Sequence, residues 1–325
     1  MSIVRISTFL LVLLVSSQQF VHAQGCSDAG FCTAGAMKGG GALSDSTQRK
    51  QTWGLSLTAG AGEKATTIII PQLEGSVGIG KQGTLDAKLP INIAKGMLGA
   101  HTGIGDLTVT YTRPLYHSAT RWQLLGTFGG RIGLGDANAG DKGQPLPMPY
   151  QASLGTTDLI AGVSALYGSH LSFAVGYQQP LLQYNNNGYL PSAIYPVVSN
   201  DADYFASRHL HRKGDLLLRA EANWKWRKWR LAAGPLLIYH LGEDKISLQD
   251  GTDISLKGSE GLTLNLAGSL SYSFSKTKID LLAGAPFIVR DYRPDGLTRA
   301  WVITIRYTHL KRELLKCSNC HLPDK

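Results

Sequence analysis

Ten charged side chains occupy positions at which they would share the interior of a closed sheet. Each alternates with apolar neighbours along the chain, so each belongs to the polar face of its segment. Both signs are present, and two interpretations stay open. Either the charges pair with one another and fill a polar interior, or some of them line a solute path and set its charge preference. The residues are Glu74, Asp86, Lys88, Asp106, Arg131, Asp158, Arg219, Glu221, Asp280 and Arg290.

The four cysteines lie outside the alternating segments, with Cys26 and Cys32 near one end of the chain and Cys317 and Cys320 near the other. An oxidising compartment favours two disulfides among them, and we expect no cofactor. Two alternatives remain. The tail reads Cys-Ser-Asn-Cys-His, which is the attachment pattern of c-type haem with His321 as the haem-binding histidine. Four thiolates could also bind a metal ion, for which Zn²⁺ is favoured.

The segments that carry the charges alternate between apolar and polar residues. In 261–275, every even position is apolar or glycine, and every odd position from Thr263 is small or polar. Successive side chains of a strand point to opposite faces, so this segment has one apolar and one polar face. We count twelve such segments, at 51–61, 67–79, 83–93, 104–116, 121–135, 156–167, 170–184, 214–227, 229–242, 261–275, 277–291 and 299–310.

The length of the segments and of their connections predicts a membrane barrel. A strand needs about 9–11 residues to cross a bilayer. Every second connection is short, as at 80–83 and 168–169, whereas the others include the long stretches 137–155, 185–213 and 243–260. Short periplasmic turns that alternate with longer loops are typical of outer-membrane barrels. The sequence therefore predicts an all-β fold, a transmembrane antiparallel up-and-down β-barrel of about twelve strands. Such a barrel is closed, because an open sheet edge in hydrocarbon leaves backbone groups unpaired.

The remaining parts of the chain fit this compartment. Residues 1–23 combine a positive charge, a short apolar run and a small-residue site, which predicts a cleaved signal peptide and secretion to the outer membrane of a Gram-negative cell. Residues 24–50 form an irregular leader that lies in the periplasm or folds into the lumen as a partial plug. The barrel occupies 51–310, and 311–325 form a periplasmic tail. An even number of strands puts both ends of the barrel in the periplasm, so we expect that the four cysteines could meet there.

Two functional classes are not expected. The net charge is +9, but the basic residues are scattered instead of gathered on one face, so nucleic acid is not an expected partner. A barrel phospholipase needs a serine and a histidine together on its lipid-facing surface. The only histidine that we predict there is His309, and no serine lies within reach of it. We therefore do not expect an enzyme.

The longest connection, 185–213, is rich in aromatic residues and histidines. It is an ordinary exposed loop, or it folds inward as a constriction or covers a ligand, since long loops without secondary structure are often functional. The pair His209 and His211 is weak evidence for a metal site. The residues concerned are Tyr189, Tyr195, Tyr204, Phe205, His209 and His211.

The mature chain resembles Gram-negative outer-membrane β-barrels. The stretch Gly-Ile-Gly-Asp-Leu-Thr-Val-Thr-Tyr at 103–111 is similar to a recurring strand motif of the meta-pathway phenol-degradation transporters, which are related to the long-chain fatty-acid transporters. The leader from Cys26 to Cys32 resembles that of barrels from the Bacteroidetes group. The resemblance implies passive uptake of small solutes, hydrophobic ones among them, with the N-terminal segment as a hatch. Fatty-acid-type barrels have more strands and a larger hatch than we predict here.

These patterns support one leading hypothesis and one alternative. The leading hypothesis is an outer-membrane channel or passive transporter for small solutes, whose partners are the lipid bilayer and the solute. The alternative is a structural barrel that does not transport, and whose cysteine-bearing ends bind a periplasmic protein. A barrel with haem on its tail is a third and weaker alternative.

Overall fold

The computed structural model describes residues 25–26, 37, 50–80, 82–117, 121–191 and 204–312. Within this part of the chain, twelve antiparallel strands form a closed barrel, as the alternating pattern predicts. The strands are β1 Lys50–Ala61, β2 Thr67–Ile79, β3 Gly83–Gly96, β4 Leu107–His117, β5 Trp122–Ile132, β6 Thr156–Tyr167, β7 Leu171–Gln183, β8 Asp215–Trp226, β9 Trp229–His240, β10 Gly261–Ser273, β11 Thr277–Ile288 and β12 Trp301–Arg312.

The barrel is closed by β12, which pairs with β1. Their register runs from Trp301 opposite Ala61 to Arg312 opposite Lys50, so both strands are paired along their full length. Each other strand pairs with the next one along the chain. No edge is left between the first and last strands, and the backbone groups of both are hydrogen-bonded, as a hydrocarbon environment requires.

The outer surface carries the apolar half of the alternation. On β12, Ile303 and Ile305 are exposed, whereas Thr304 and Arg306, which alternate with them, are partly buried. Large apolar side chains are exposed in the same way on every strand around the barrel, and they form a continuous lipid-facing surface, the outer band. In the described ranges, no helix is long and apolar enough to cross a membrane.

The two ends of the barrel differ. At the end defined by Lys50 and Arg312, which we call the turn end, neighbouring strands are joined by short turns. Aromatic pairs lie near this end, with ring centroids 5.0 Å apart for Trp122 and Tyr167 and 4.6 Å apart for Trp229 and Tyr272. Aromatic side chains favour the headgroup level of a bilayer. The opposite end, the loop end, carries the long connections.

The described parts of three long connections fold together over the loop end. Two of them pack against Ile68 and other inward residues of β2 and β3. The connection 133–155 contributes Leu146 and Tyr150, and the connection 184–214 contributes Tyr189 and Tyr204. A second buried cluster joins the connection 241–260 to the other two. It consists of Met148, Leu154, Leu190, Ala206, Leu210, Ile246 and Leu256. We call this assembly the loop cap.

The fourth predicted strand, 104–116, is interrupted. A short strand, Gly99–Ile104, pairs with the loop end of β3, and β4 begins only at Leu107. The cause lies opposite, at Pro90 of β3, which has no N–H to give to the ladder. Its carbonyl accepts a hydrogen bond from Gly105 N at 2.9 Å, and the chain bulges there. Asp106 therefore lies in the break, not within a strand.

Two other strands end three residues before the predicted boundary. β5 ends at Ile132 instead of residue 135, and β11 ends at Ile288 instead of residue 291. Arg290 consequently belongs to the connection 289–300. Its guanidinium turns inward and donates to Ser259 O at 2.6 Å, a contact that a continued strand would not make.

Candidate solute path through the barrel

Arg131 on β5 holds the most buried ion pair of the barrel wall. It lies opposite Asp158 of β6, and its Nη2 donates to the Asp158 carboxylate. Its Nε lies 3.7 Å from Asp106 Oδ2, and Gln178 Nε2 also donates to Asp158. All of these side chains point to the interior, and Arg131 is only 4% exposed. One guanidinium thus lies between two carboxylates, one from β6 and one from the break before β4.

A second group of polar side chains surrounds Glu74 on β2. Its Oε1 accepts from Ser56 Oγ at 3.0 Å, from Gln72 Nε2 at 2.8 Å and from Arg306 Nε at 3.0 Å. Lys88 of β3 lies directly opposite Glu74 in the register. The arrangement joins β12, β1, β2 and β3 across the point of barrel closure.

The other predicted charges also have oppositely charged neighbours or lie buried inside. Lys278 Nζ lies 2.7 Å from Asp280, and Arg219 Nε lies 3.9 Å from Glu221. Asp86 and Lys88 on β3 are buried. Arg131 and Asp158 thus pair across neighbouring strands, whereas Lys278–Asp280 and Arg219–Glu221 each pair within one strand. Such pairing does not choose between the two interpretations of the interior charges that the sequence left open.

A cavity lies under the loop cap. Its volume is about 80 Å³, and it is partly open to solvent. Barrel strands contribute one side and the connections the other, so the cavity is bounded by wall and cap together. The charged and polar residues that line it are Gln72, Lys88, Asn92, Asp106, Thr108, Arg131, Gln151, Ser153, Asp295 and Arg299.

A network of buried charges joins the barrel wall to the loop cap. Arg212 Nη2 lies 3.1 Å from Asp215 Oδ2 and 3.3 Å from Asp295 Oδ2. Arg290 Nη2 also lies 3.0 Å from Asp295 Oδ2. The imidazole of His240 lies between Asp215 and a further carboxylate, Asp244. We call these six residues, Arg212, Asp215, His240, Asp244, Arg290 and Asp295, the latch cluster.

Sequence reasoning missed most of the latch cluster and named only Arg290 as a site residue. Arg212, Asp244 and Asp295 lie in connections, where no alternating pattern gives an orientation. His240 could have been found, because it follows the outward Tyr239 at the end of β9 and so belongs to the inward face. Burial alone would raise the pKa of Asp295, but Arg290 and Arg212 outweigh it and hold that pKa well below its usual range.

The connection between β1 and β2 carries a buried carboxyl group. Glu63 is 5% exposed, and the nearest cation is Arg293, whose Nε is 3.7 Å from Glu63 Oε1. Burial raises the pKa of Glu63 from 4.5 to about 8, although Arg293 opposes the shift. Nearby, the Tyr204 hydroxyl lies 3.0 Å from both Tyr150 Oη and Thr66 Oγ1. Burial raises the pKa of Tyr204 as well.

Met37 of the leader lies inside the barrel. It is completely buried against Ile160, Ala174, Leu217 and Leu236, which come from the inner faces of β6, β7, β8 and β9. Its carbonyl accepts a hydrogen bond from Arg219 Nη1 at 2.7 Å. These four apolar residues form a patch on the inner wall from β6 to β9, and Met37 covers it.

The structure places Cys26 away from the position expected from the sequence. Gly25–Cys26 pair with Thr298–Arg299, which precede β12 at the loop end. The sequence analysis instead placed all four cysteines at the periplasmic end of the barrel, where their thiols could meet. The reason for the error is that a leader which enters the barrel does not stay at the end where β1 begins. Cys32, Cys317, Cys320 and His321 lie outside the described residues.

The histidines and aromatic residues of the long connection 185–213 separate into two groups. Tyr189 and Tyr204 are buried in the loop cap, and the Phe205 ring lies 4.4 Å from that of Tyr292. His209 and His211 are exposed. Tyr195 lies outside the described residues. His309, the outward histidine considered for lipid chemistry, stacks on Trp53 at the turn end with centroids 5.5 Å apart.

Comparison with solved structures identifies the fold. The COG4313 outer membrane channel from Pseudomonas putida F1 is similar over 82% of this chain and 98% of that chain, with a TM-score of 0.60 and 13% identity. A KdgM porin (TM-score 0.39, 11% identity, 80% and 98% covered) and a NanC porin (0.41, 10%, 80% and 100%) also match. No family model and no curated protein sequence matches the chain.

The closed twelve-stranded barrel with an apolar outer band is the fold of outer-membrane barrel proteins, and the COG4313 outer membrane channel shares it. This fold implies a lipid bilayer as the environment of the outer band. At this low identity the likeness concerns the fold, and the role of the interior has to be argued from the residues of this chain.

Proposed function

We propose that the protein is a passive outer-membrane channel for small solutes. The observation that carries this proposal is the polar, ion-paired interior of a closed barrel, with a cavity between the barrel wall and the loop cap. A barrel that had only to be stable would gain more from a packed apolar interior than from buried charges, because burying ion pairs costs desolvation energy. Diffusion through such a path needs no cofactor and no energy input.

The charges of the wall line this path in the proposal. Lys88, Asp106 and Arg131 border the cavity from β3, from the break before β4 and from β5. Both signs are present along the wall, which suits small polar or zwitterionic solutes better than a strongly charged one of either sign. The rest of the polar lining consists of Glu74, Asp86, Asp158, Arg219, Glu221, Asp280 and Arg290.

The leader is part of the proposal as a partial plug, because Met37 occupies the lumen at the apolar patch of β6 to β9. Within the described residues, Met37 contributes one buried side chain and accepts one hydrogen bond from Arg219, and a single hydrogen bond adds only about 0.5–1.5 kcal/mol. We therefore expect a small resting conductance that grows when this contact is weakened.

Single-channel recording in planar bilayers tests the proposal. Met37→Ser and Arg219→Gln are each expected to raise the mean conductance several-fold over the unmodified protein. Met97→Ser is the matched control, because Met97 is 64% exposed in the turn between β3 and the short strand after it. Liposome swelling with small sugars provides an independent measurement of solute passage.

The outcome that would contradict the proposal is an absence of conductance and swelling in every variant. The chain would then be better described by the second candidate, a structural barrel that binds a periplasmic protein. The contact of Met37 with the inner wall is the observation that favours this alternative, since a permanently filled lumen would not conduct.

A further inference from the structure

His240 has carboxylate oxygens at both of its ring nitrogens. Nδ1 lies 2.6 Å from Asp215 Oδ1, and Nε2 lies 2.8 Å from Asp244 Oδ1. An ionised carboxylate only accepts hydrogen bonds, so each nitrogen must donate. A neutral imidazole has one N–H and cannot donate from both nitrogens. The geometry is therefore that of an imidazolium ion.

The charges around His240 balance only in that state. Asp215 comes from the start of β8, Asp244 from the connection after β9, Arg212 from the connection before β8, and Arg290 and Asp295 from the connection after β11. The residue opposite His240 on β10 is Gly261, which carries no charge. With His240 protonated, the latch cluster contains three cations and three anions. Without that proton, a buried negative charge is left over.

The same residues attach the loop cap to the wall. Asp244 Oδ1 accepts a hydrogen bond from Lys213 N at 3.0 Å, and Asp244 N donates to Ser259 Oγ at 2.8 Å. Arg290 Nη1 donates to Ser259 O at 2.6 Å. Three connections of the loop end thus meet at the ends of β8 and β9, and His240 bridges the wall residue Asp215 to the cap residue Asp244.

We propose that His240 is a proton-sensitive latch for the loop cap. The protonated side chain holds the cap over the barrel mouth. Loss of the proton turns one ring nitrogen into an acceptor that faces a buried carboxylate, so the contact becomes repulsive and the cap opens at higher pH. The inference rests on the proposed channel function for its consequence, but the movement of the cap can be measured separately.

Two measurements over about pH 5 to pH 9, the range in which histidines titrate, test the latch. The first is the open probability of single channels in planar bilayers. The second is the rate of trypsin cleavage after Lys213, an exposed residue of the cap, divided at each pH by the rate on a small peptide. Both are expected to rise with pH in the unmodified protein, by at most about tenfold per pH unit because one proton is involved.

His240→Gln is expected to give high cleavage and open probability that no longer change with pH. His211→Gln is the matched control, because His211 is an exposed histidine in the connection 184–214, which also contains Lys213. This variant should keep the unmodified profile. Asp244→Asn is a gentler variant that preserves the side-chain shape. It removes one of the two carboxylates that hold the proton, so its profile should shift to lower pH.

The outcomes separate the latch from the channel. If His240→Gln keeps the unmodified pH profile of cleavage, or if the unmodified protein shows no pH dependence, the latch is wrong even where currents are recorded. If cleavage follows the expected profiles but no variant conducts, the latch stands and the channel function fails.

Discussion

At the scale of single residues, the barrel depends on buried charges that have opposite charges beside them. Arg131 is the clearest case, because it lies between Asp106 and Asp158 and all of them are buried. An ion pair of this kind contributes little net stability compared with an apolar replacement of both partners, but removal of one partner leaves the other charge uncompensated. The wall charges are therefore sensitive to single substitutions.

Arg131→Met should destabilise the folded barrel by about 3–5 kcal/mol, since two buried carboxylates would lose their common cation. Lys278→Met is the comparison, because the Lys278 side chain is 25% exposed and the buried Asp280 keeps its hydrogen bond from Ser271 Oγ, so the loss should be smaller. Urea unfolding of both variants in lipid vesicles, followed by tryptophan fluorescence, measures the difference. Equal losses in the two variants would show that burial does not govern these pairs.

Glu63 predicts a pH dependence of stability. Because its pKa is about 8 in the folded protein against an ordinary 4.5, the folded state keeps a proton that the unfolded state has already lost. The stability linked to Glu63 is full below about 4.5 and is lost as pH rises towards 8. Glu63→Gln removes this loss, so the melting temperature of the variant should exceed that of the unmodified protein increasingly between pH 5 and pH 8.

Glu260→Gln is the control for this measurement, because Glu260 is exposed. Its melting temperature should follow that of the unmodified protein at each pH. A difference between Glu63→Gln and the unmodified protein that stays constant with pH would contradict the assignment of the proton to Glu63.

At the scale of elements, close backbone approach between neighbouring strands restricts which residues fit. A Cβ added at Gly234 of β9 would lie 1.9 Å from Ala220 O of β8. The nearest atom to a Cβ at Gly268, on the neighbouring β10, is Ala232 O at 3.6 Å. The two glycines have the same residue type and lie on paired strands, yet only Gly234 is required by the space around it.

Gly234→Ala should cost about 1–3 kcal/mol of folding free energy, because β8 and β9 would have to separate locally. Gly268→Ala should change it by no more than about 0.5 kcal/mol, because the added methyl group meets ordinary van der Waals contacts. Midpoints of urea unfolding measure both. A loss of similar size at both positions would indicate a general cost of replacing strand glycines instead of a local clash.

The strands also show what periodicity can and cannot predict. The alternation placed all twelve strands, and β2 and β6 have the predicted bounds. It did not predict the break between Ile104 and Leu107, because that break depends on Pro90 of the neighbouring strand. Contacts across the sheet join residues that no single segment brings together.

At the scale of the whole molecule, the outer band requires a hydrocarbon surrounding. Leu57 lies in the middle of this band, with Pro71 and Ile305 opposite it on the adjacent strands, and it is 51% exposed. Leu57→Arg should destabilise the barrel in lipid vesicles by about 2–4 kcal/mol, the cost of a guanidinium near the bilayer midplane.

Ile79→Arg is the matched control, because Ile79 is exposed at the last position of β2, near the turn end. Near the interface the same change should cost only about 0–1 kcal/mol. Urea titrations in vesicles of one lipid composition compare the two. If both substitutions lower the folding free energy by the same amount, Leu57 does not lie near the bilayer midplane.

The sequence by itself determined the class of fold, because alternation with a period of two residues and the pattern of short and long connections are local properties. It also predicted that Glu74, Arg131, Asp158 and the other wall charges lie on the inward face. Only the tertiary structure decided which charges pair. It also decided that the long connections cover the mouth, that Met37 reaches the inner wall, and that His240 meets two carboxylates. These contacts join residues far apart in the chain, and their energies depend on burial that exists only after the barrel has closed.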